Sequence, residues 1–274
     1  LTLQLWRSVE RLAPLGPKFV SVTYGAGGTT RARTQAAIKT IQDRARLAVA
    51  GHLTCVDASR GETMEVARSY RAMGVKQIVA LRGDPPKGAD RFVPHPDGFA
   101  RADELVRALA DEGFDVTVAA YPEVHPEATS PQGDLDNLKR KLDAGATTAI
   151  TQFFFEAERF LRFRDQAAAA GITAPIIPGI LPIENFEKMR SFALACQTSV
   201  PAWMDNAFAN AQTDEEKMLL ATVVATELGD QLKTEGCAHL HFYTLNKPHL
   251  TYNVARALGV EPARFAMATS TGAA

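Results

Sequence analysis

The sequence predicts an α/β fold in which parallel strands, each followed by a helix, curl into a (β/α)8 TIM barrel. Three observations predict it. Short, nearly continuous apolar runs alternate with helical patterns along the whole chain. A glycine stands between a helix and the next strand five times, at Gly74, Gly113, Gly145, Gly171 and Gly236. The apolar runs end, one after another, in polar or conformationally special residues.

The elements follow in order. Leu5, Val9 and Leu12 recur at helical spacing with Arg7, Glu10 and Arg11 between them, so residues Leu1 to Leu15 read as a helix. Strands are expected at Phe19–Tyr24, His52–Val56, Gln77–Leu81, Asp115–Ala120, Thr148–Phe155, Pro175–Ile180 and His239–Leu245. Their β-branched, continuous hydrophobicity suits parallel strands buried on both faces. Helices are expected between them at Arg31–Arg44, Glu62–Met73, Phe99–Asp111, Asp134–Asp143, Ala157–Ala170 and Asp214–Thr234. The long stretch from Leu181 to Ala238 also holds a helix at Glu184–Ala195 and a Pro201-Ala202-Trp203-Met204 turn that opens a short one. The five glycines suit the left-handed conformation that closes a helix.

Chemistry at the ends of many strands is the habit of a barrel, whereas an open sheet gathers it at one switch point. Seven strands leave two edges, so a closed barrel is expected to take its first strand from residues before Leu1. A barrel needs roughly 250 residues, and one domain spanning 1–265 with a frayed tail at 266–274 is the expected organisation.

Composition excludes several classes of function. The chain of 274 residues is 46% hydrophobic and 22% charged, which is ordinary for a globular protein. A net charge of -1 gives no electrostatic footprint for nucleic acid or an anionic membrane. No apolar run approaches the ~20 residues of a membrane span, and no signal peptide is visible at the start. Three scattered cysteines, Cys55, Cys196 and Cys237, do not suggest a disulfide framework, and a reducing cytoplasm is the expected location.

Five segments carry candidate chemistry. Tyr24-Gly25-Ala26-Gly27-Gly28-Thr29-Thr30 follows the first strand and resembles a phosphate cradle without matching either glycine fingerprint; a plain loop with Thr30 as helix cap fits equally well. Arg82-Gly83-Asp84 could hold a phosphate and the edge of a heterocycle, or form its own ion pair in a turn. Tyr121 to Ala128 puts an aromatic ring, His125 and two prolines in one stiff loop suited to a planar ligand. Asp134, Asn137 and Lys141 fall within ~60° of one another on a helix, either a solvated face or a ridge that grips ribose and phosphate. The amide of Gln152 can both donate and accept, as an edge-on contact with a heterocycle requires. His239 and His241 share a strand face, but no cysteine or carboxylate cluster accompanies them, so no metal is expected.

Read together, these segments carry a resemblance. Phe19 to Ala26, His52-Leu53-Thr54-Cys55, Ala80 to Asp84, Ala120 to Glu127, Gln152-Phe153-Phe154-Phe155, Pro178 to Pro182 and His241 to Asn246 run in the order found in the methylenetetrahydrofolate reductase family, from about Trp6 to Val260. The chain is most similar to the bacterial, single-domain type. The resemblance implies non-covalent FAD at the carboxyl ends of the strands, lined by Thr23, Tyr24, Ala26, His52, Arg82, Gly83, Asp84, Tyr121, His125, Ala128, Asp134, Asn137, Arg140 and Lys141. It implies folate contacts from Asp84, Gln152 and Phe192, and nicotinamide contacts from Thr23 and Gln152.

The implied reaction belongs to one-carbon metabolism. NADH or NADPH reduces the flavin and leaves; methylenetetrahydrofolate then takes its place and is reduced to 5-methyltetrahydrofolate. Asp84 is the expected catalytic residue, tuning the flavin and orienting the pterin. The family's general acid is a glutamate on the first strand, to which no residue here corresponds. Lys247 stands where arginine usually meets the folate's glutamate tail, and Lys188 where the bacterial enzyme has a substrate-contacting glutamine. A homo-oligomer is expected. Two other readings remain at this point: a different flavin barrel, such as a proline dehydrogenase-like oxidase, and a flavin-binding protein without turnover.

Overall fold

The structure, a computed structural model, describes residues 3–23, 31–85 and 91–263. Tyr24, Ala26 and Thr30 of the candidate cradle, and the tail at 266–274, lie outside the described residues.

Seven strands form one all-parallel sheet in sequence order: β1 (Val20–Val22), β2 (Val49–Thr54), β3 (Gln77–Leu81), β4 (Asp115–Ala120), β5 (Thr148–Phe153), β6 (Ile176–Ile180) and β7 (His241–Phe242). The described helices are α1 (Leu3–Leu12), α2 (Arg31–Ala45), α3 (Arg60–Ala72), α4 (Ala102–Asp111), α5 (Pro131–Asp143), α6 (Ala157–Ala169), α7 (Phe186–Ala195), α8 (Ala202–Asn210), α9 (Asp214–Thr234) and α10 (Pro248–Ala257). The sheet curls as a TIM-type barrel does. Its two edges approach: the Phe19 ring stacks on His241 at 6.4 Å, and Ser8 Oγ of α1 donates to the carbonyl of Asn246 beyond β7 at 2.8 Å. Among the described residues β1 and β7 do not pair with each other.

Alternation along each strand sets two environments. Leu53, Ile78, Ala80, Val116, Val118 and Ala149 face the helices and join one large apolar core. Alternating positions face the barrel interior, where Gln77 Nε2 donates to Thr117 Oγ1 at 3.4 Å. The candidate residues sit toward the carboxyl ends of the strands.

β3 and β4 have the expected bounds. β2 begins three residues earlier than expected because Val49-Ala50-Gly51 pairs with both neighbours. β7 is shorter than expected. Leu245 and Asn246 adopt φ of 47° and 59°, left-handed values that no strand continues through. α10 has no counterpart in the sequence reading, although Pro248 suits a first helical turn and Leu250, Val254, Ala255 and Leu258 make a buried stripe. All five predicted helix-closing glycines take positive φ. No described helix is long and apolar enough to cross a membrane.

Candidate active site

The tip of β3 packs hard against β2. A Cβ on Gly83 would lie 2.7 Å from Val56 Cγ1, and Gly83 has φ of +94°, so glycine is required on both counts. Beside it, both terminal nitrogens of Arg82 grip Glu127, each at 2.7 Å. The pair reinforces both charges: hydrogen bonding to Glu127 raises the guanidinium pKa, and hydrogen bonding to Arg82 lowers that of the carboxylate. Arg82 also stands 4.6 Å over the Phe92 ring. Asp84 is exposed, and its charge is felt by Tyr121, Arg82 and Cys196.

The loop after β4 is tied down from several directions. The Tyr121 ring meets His125 edge-on at 4.6 Å. Burial, then Asp134 and Asp84, push its phenol up to about 12, so it remains a hydrogen-bond donor at neutral pH. Asp134 Oδ2 accepts the backbone N–H of His125 at 2.9 Å, and His125 Nδ1 accepts the N–H of Glu127 at 3.0 Å. That second bond assigns the proton of the neutral imidazole to Nε2. Burial is the main cause of a lowered His125 pKa. Ala128 contributes its N–H to His125 O at 2.8 Å.

Ser130 caps α5 by accepting from Gly133 N, and Pro131 opens the helix, which therefore starts before Asp134. Leu135 and Leu138 anchor α5 in the core. This turns Asp134 and Lys141, both buried, toward β4 and its loop. Lys141 Nζ donates to Ala119 O at 2.5 Å. Burial pulls its pKa down to about 8 against the opposing pull of Asp134 and Asp103. Arg140 donates to Asn137 Oδ1 at 3.2 Å on the more exposed side.

β5 carries an irregularity between Ile150 and Phe153. It lets Gly179 N donate to Thr151 Oγ1 at 2.9 Å and Tyr243 Oη donate to Thr151 O at 2.7 Å. Gln152 then lines a shallow cleft shared with Tyr121, Glu123, Phe153, Cys196 and Thr198. Its Oε1 accepts from Phe153 N at 3.1 Å, so the NH2 group is what a ligand would meet. Phe192 of α7 stacks on Phe153 at 5.4 Å.

The structure thus brings Arg82, Gly83, Asp84, Tyr121, His125, Ala128, Asp134 and Lys141 into one neighbourhood, with Asn137 and Arg140 along the same helix and Gln152 on the adjoining cleft, where Phe192 stacks on the lining residue Phe153. His52 lies deeper in the barrel interior, facing His241; burial pushes both imidazoles down to about 4. Thr23 is exposed after β1 and accepts from Thr34 Oγ1 through its carbonyl at 3.2 Å. Lys247 is engaged elsewhere, ion-paired with Glu184 at 2.7 Å. Lys188 is an exposed first-turn residue of α7. Of the cleft residues, Thr198 escaped the sequence reading and Cys196 appeared there only as a scattered cysteine. Their approach depends on how the segment after α7 folds back, and no local pattern announces it.

The family model described as "Methylenetetrahydrofolate reductase" matches residues 2–259. The chain belongs to the methylenetetrahydrofolate reductase family. It is 49% identical over 260 residues to the 5,10-methylenetetrahydrofolate reductase of Pectobacterium carotovorum, an alignment covering 94% of this chain and 85% of that one. It is likewise 49% identical over 260 residues to the enzyme of that name from Escherichia coli (strain K12), covering 94% and 86%. A plant relative, methylenetetrahydrofolate reductase (NADH) 1 of Zea mays, is 34% identical over 269 residues; 93% of this chain aligns with 45% of that protein. Methylenetetrahydrofolate reductase activity is therefore the activity of this family, and the α/β barrel described above is the scaffold on which this member carries it.

Proposed function

We propose that this chain reduces 5,10-methylenetetrahydrofolate to 5-methyltetrahydrofolate with electrons from NADH or NADPH, passed through FAD bound at the carboxyl ends of β2 to β5. The observation that carries this reading is the convergence of Arg82, Asp84, Tyr121, His125, Asp134 and Lys141 at one barrel mouth. The residues present fit a flavin nucleotide. Thr54 Oγ1 at the tip of β2 is buried without a hydrogen-bond partner. Gly83, which lacks a side chain, lies against it. Cationic and amide groups run outward along α5, as an extended diphosphate requires.

Bound FAD supplies a two-electron carrier between the nicotinamide and the folate. Arg82, Asn137, Arg140 and Lys141 would hold its phosphates and ribose, and Tyr121 and His125 would limit the entry of water. Asp84 would accept N–H groups from the pterin. Gln152 donates its amide to whichever heterocycle occupies the cleft. Because nicotinamide and pterin both need Gln152, the first must leave before the second enters. Phe192 offers its exposed face to the folate, and Lys247 would supply a cation for the glutamate tail only on leaving Glu184. The proton that opens the five-membered folate ring is assigned to no described residue.

The test begins with a visible absorption spectrum of the purified protein reconstituted with FAD. A bound-flavin spectrum is expected, bleached anaerobically by NADH or NADPH and restored by methylenetetrahydrofolate. A protein that takes up no flavin, or whose reduced flavin ignores the folate, would sink the proposal. Asp84→Asn should slow the folate half-reaction by about 10-fold or more while flavin binding changes little. Equal single-turnover rates would remove Asp84 from its assigned role.

A further inference from the structure

We infer that Glu123 is a positioning residue that clasps the loop after β4 to the end of α7, and so holds the folate-facing ring of Phe192 in register with the cofactor-facing loop. The inference deepens the function proposed above and rests on it. Glu123 sits between Tyr121 and His125 in the chain, and its carboxylate bonds Ser199. Its carboxylate accepts the backbone N–H of Ser199 at 3.2 and 3.3 Å and also the Ser199 hydroxyl. Ser199 belongs to the segment that leaves α7, some 76 residues further along the chain.

The geometry on both sides of this contact argues for a clasp. On the loop side, Val124 adopts φ of +73°, a conformation that a β-branched residue holds only when its surroundings impose it. The imposing contacts are the turn bond from Val124 N to Tyr121 O at 3.3 Å, the Asp134 bond to His125 N on one flank, and Glu123 on Ser199 on the other. On the α7 side, Gln197 is also left-handed, with φ of +53°, which folds the chain back under the helix. Thr198 N then returns to Ala193 O at 2.9 Å, and Thr198 Oγ1 meets Phe153 O at 3.4 Å. These bonds bring the end of α7 to β5, and among the described residues Glu123 makes the hydrogen bonds that tie it to the loop carrying Tyr121. Phe192 lies one turn from that end, stacked on Phe153 with its other face open. Releasing the clasp frees α7 to shift along Phe153, which displaces the Phe192 ring but leaves the Arg82, Asp134 and Lys141 contacts in place.

The test uses the full chain loaded with FAD and three variants, Glu123→Ala, Glu123→Gln and Ser199→Ala. In steady state, Glu123→Ala should raise the KM for methylenetetrahydrofolate about tenfold, the scale of loss expected when a binding group shifts by a fraction of an ångström. Flavin content should stay within twofold, and flavin reduction by the nicotinamide should slow less than folate turnover does. Glu123→Gln keeps an acceptor oxygen and should recover most of the loss. Ser199→Ala should not add to Glu123→Ala in a double-mutant cycle. Amide hydrogen exchange across Phe186–Ala195 should quicken in Glu123→Ala, and this reading does not require activity. An unchanged folate KM, or equal losses in both half-reactions, overturns the inference. If the wild-type protein fails to turn over folate, the proposed function fails. Unchanged exchange in α7 would then overturn the clasp as well, and quickened exchange would reduce it to a structural tie with no role in positioning folate.

Discussion

The β3–β4–α5 side of the barrel mouth and the β5–β6–α7 side are held by different forces. On the first, charges are paired or buried at short range: Arg82 with Glu127, Asp134 with the His125 backbone, Lys141 with the Ala119 carbonyl. On the second, aromatic rings and close backbone approaches dominate. Phe153 touches Phe192, Phe155 and Tyr243, and Gly179 packs against Thr151. The first arrangement fixes donors and acceptors in space and suits a polar nucleotide that stays bound. The second presents a flat apolar surface with few polar commitments and suits planar ligands that exchange. If this contrast is right, substitutions on the two sides should fail in different ways.

The largest effect is expected on the aromatic side. A Cβ on Gly179 would meet the backbone oxygen of Thr151 and lie 2.7 Å from Tyr243 Cε2. A main-chain oxygen cannot swing aside as a flexible side chain can, so Gly179→Ala should cost about 3 kcal/mol, in the upper range for overpacking. Urea unfolding measures it. Because the irregularity in β5 that aims Gln152 depends on this approach, folate turnover should fall further than the population of folded protein does. A variant with wild-type stability would show that β5 and β6 have room to separate, and the picture of a side held by close packing would fail.

The contrast also explains what could be read from the sequence. β3 and β4 were legible to the residue because each is a nearly continuous apolar run between a helix-closing glycine and a distinctive tip. β2 was displaced in the reading because its first residues, Val49-Ala50-Gly51, are small and look featureless; Gly51 is small because the Tyr70 ring occupies the space beside it. Arg82, Tyr121, Asp134 and Gln152 stood out as polar residues at strand tips or on a helix face. Glu123 was visible only as part of a motif, Cys196 only as a scattered cysteine, and Thr198 and Ser199 not at all, because a return segment is placed by tertiary contacts. The polar side was therefore more legible than the aromatic side: its residues are recognisable by type, whereas the role of Gly179 or Phe153 exists only in packing.

A second prediction breaks the comparison through pH. An unfolded lysine keeps its proton to about pH 10.4, whereas folded Lys141 releases its own at about 8. Between those values the unfolded chain binds more protons, so the Lys141 contribution to stability rises with pH. Below pH 8 both states hold the proton and the burial cost is felt in full. Taken against Lys141→Met, which removes the group, wild-type stability should gain about 2 kcal/mol between pH 8 and 9.5. Parallel pH profiles for the two proteins would mean that the ammonium is well solvated in the folded state, and the polar side would lose its strongest buried charge.

The smallest effect on stability should come from Phe192. Its ring is 42% exposed, while the Phe153 ring beneath it is 2% exposed. Truncating a buried phenylalanine costs about 3–5 kcal/mol. Removing a half-exposed one forfeits mainly the stacked face, so Phe192→Ala should lower stability by under about 1 kcal/mol. Its effect on the reaction should be out of proportion: a folate KM raised about tenfold with the nicotinamide half-reaction intact, since an exposed ring face has value only when a ligand covers it. The distinction from Glu123→Ala is sharp. Phe192→Ala removes the surface and should leave exchange in the α7 backbone unchanged, whereas Glu123→Ala keeps the surface and lets the helix move. Finding that Phe192→Ala unfolds the protein would recast that ring as core, and finding that it leaves folate KM untouched would place the folate on some other wall of the cleft.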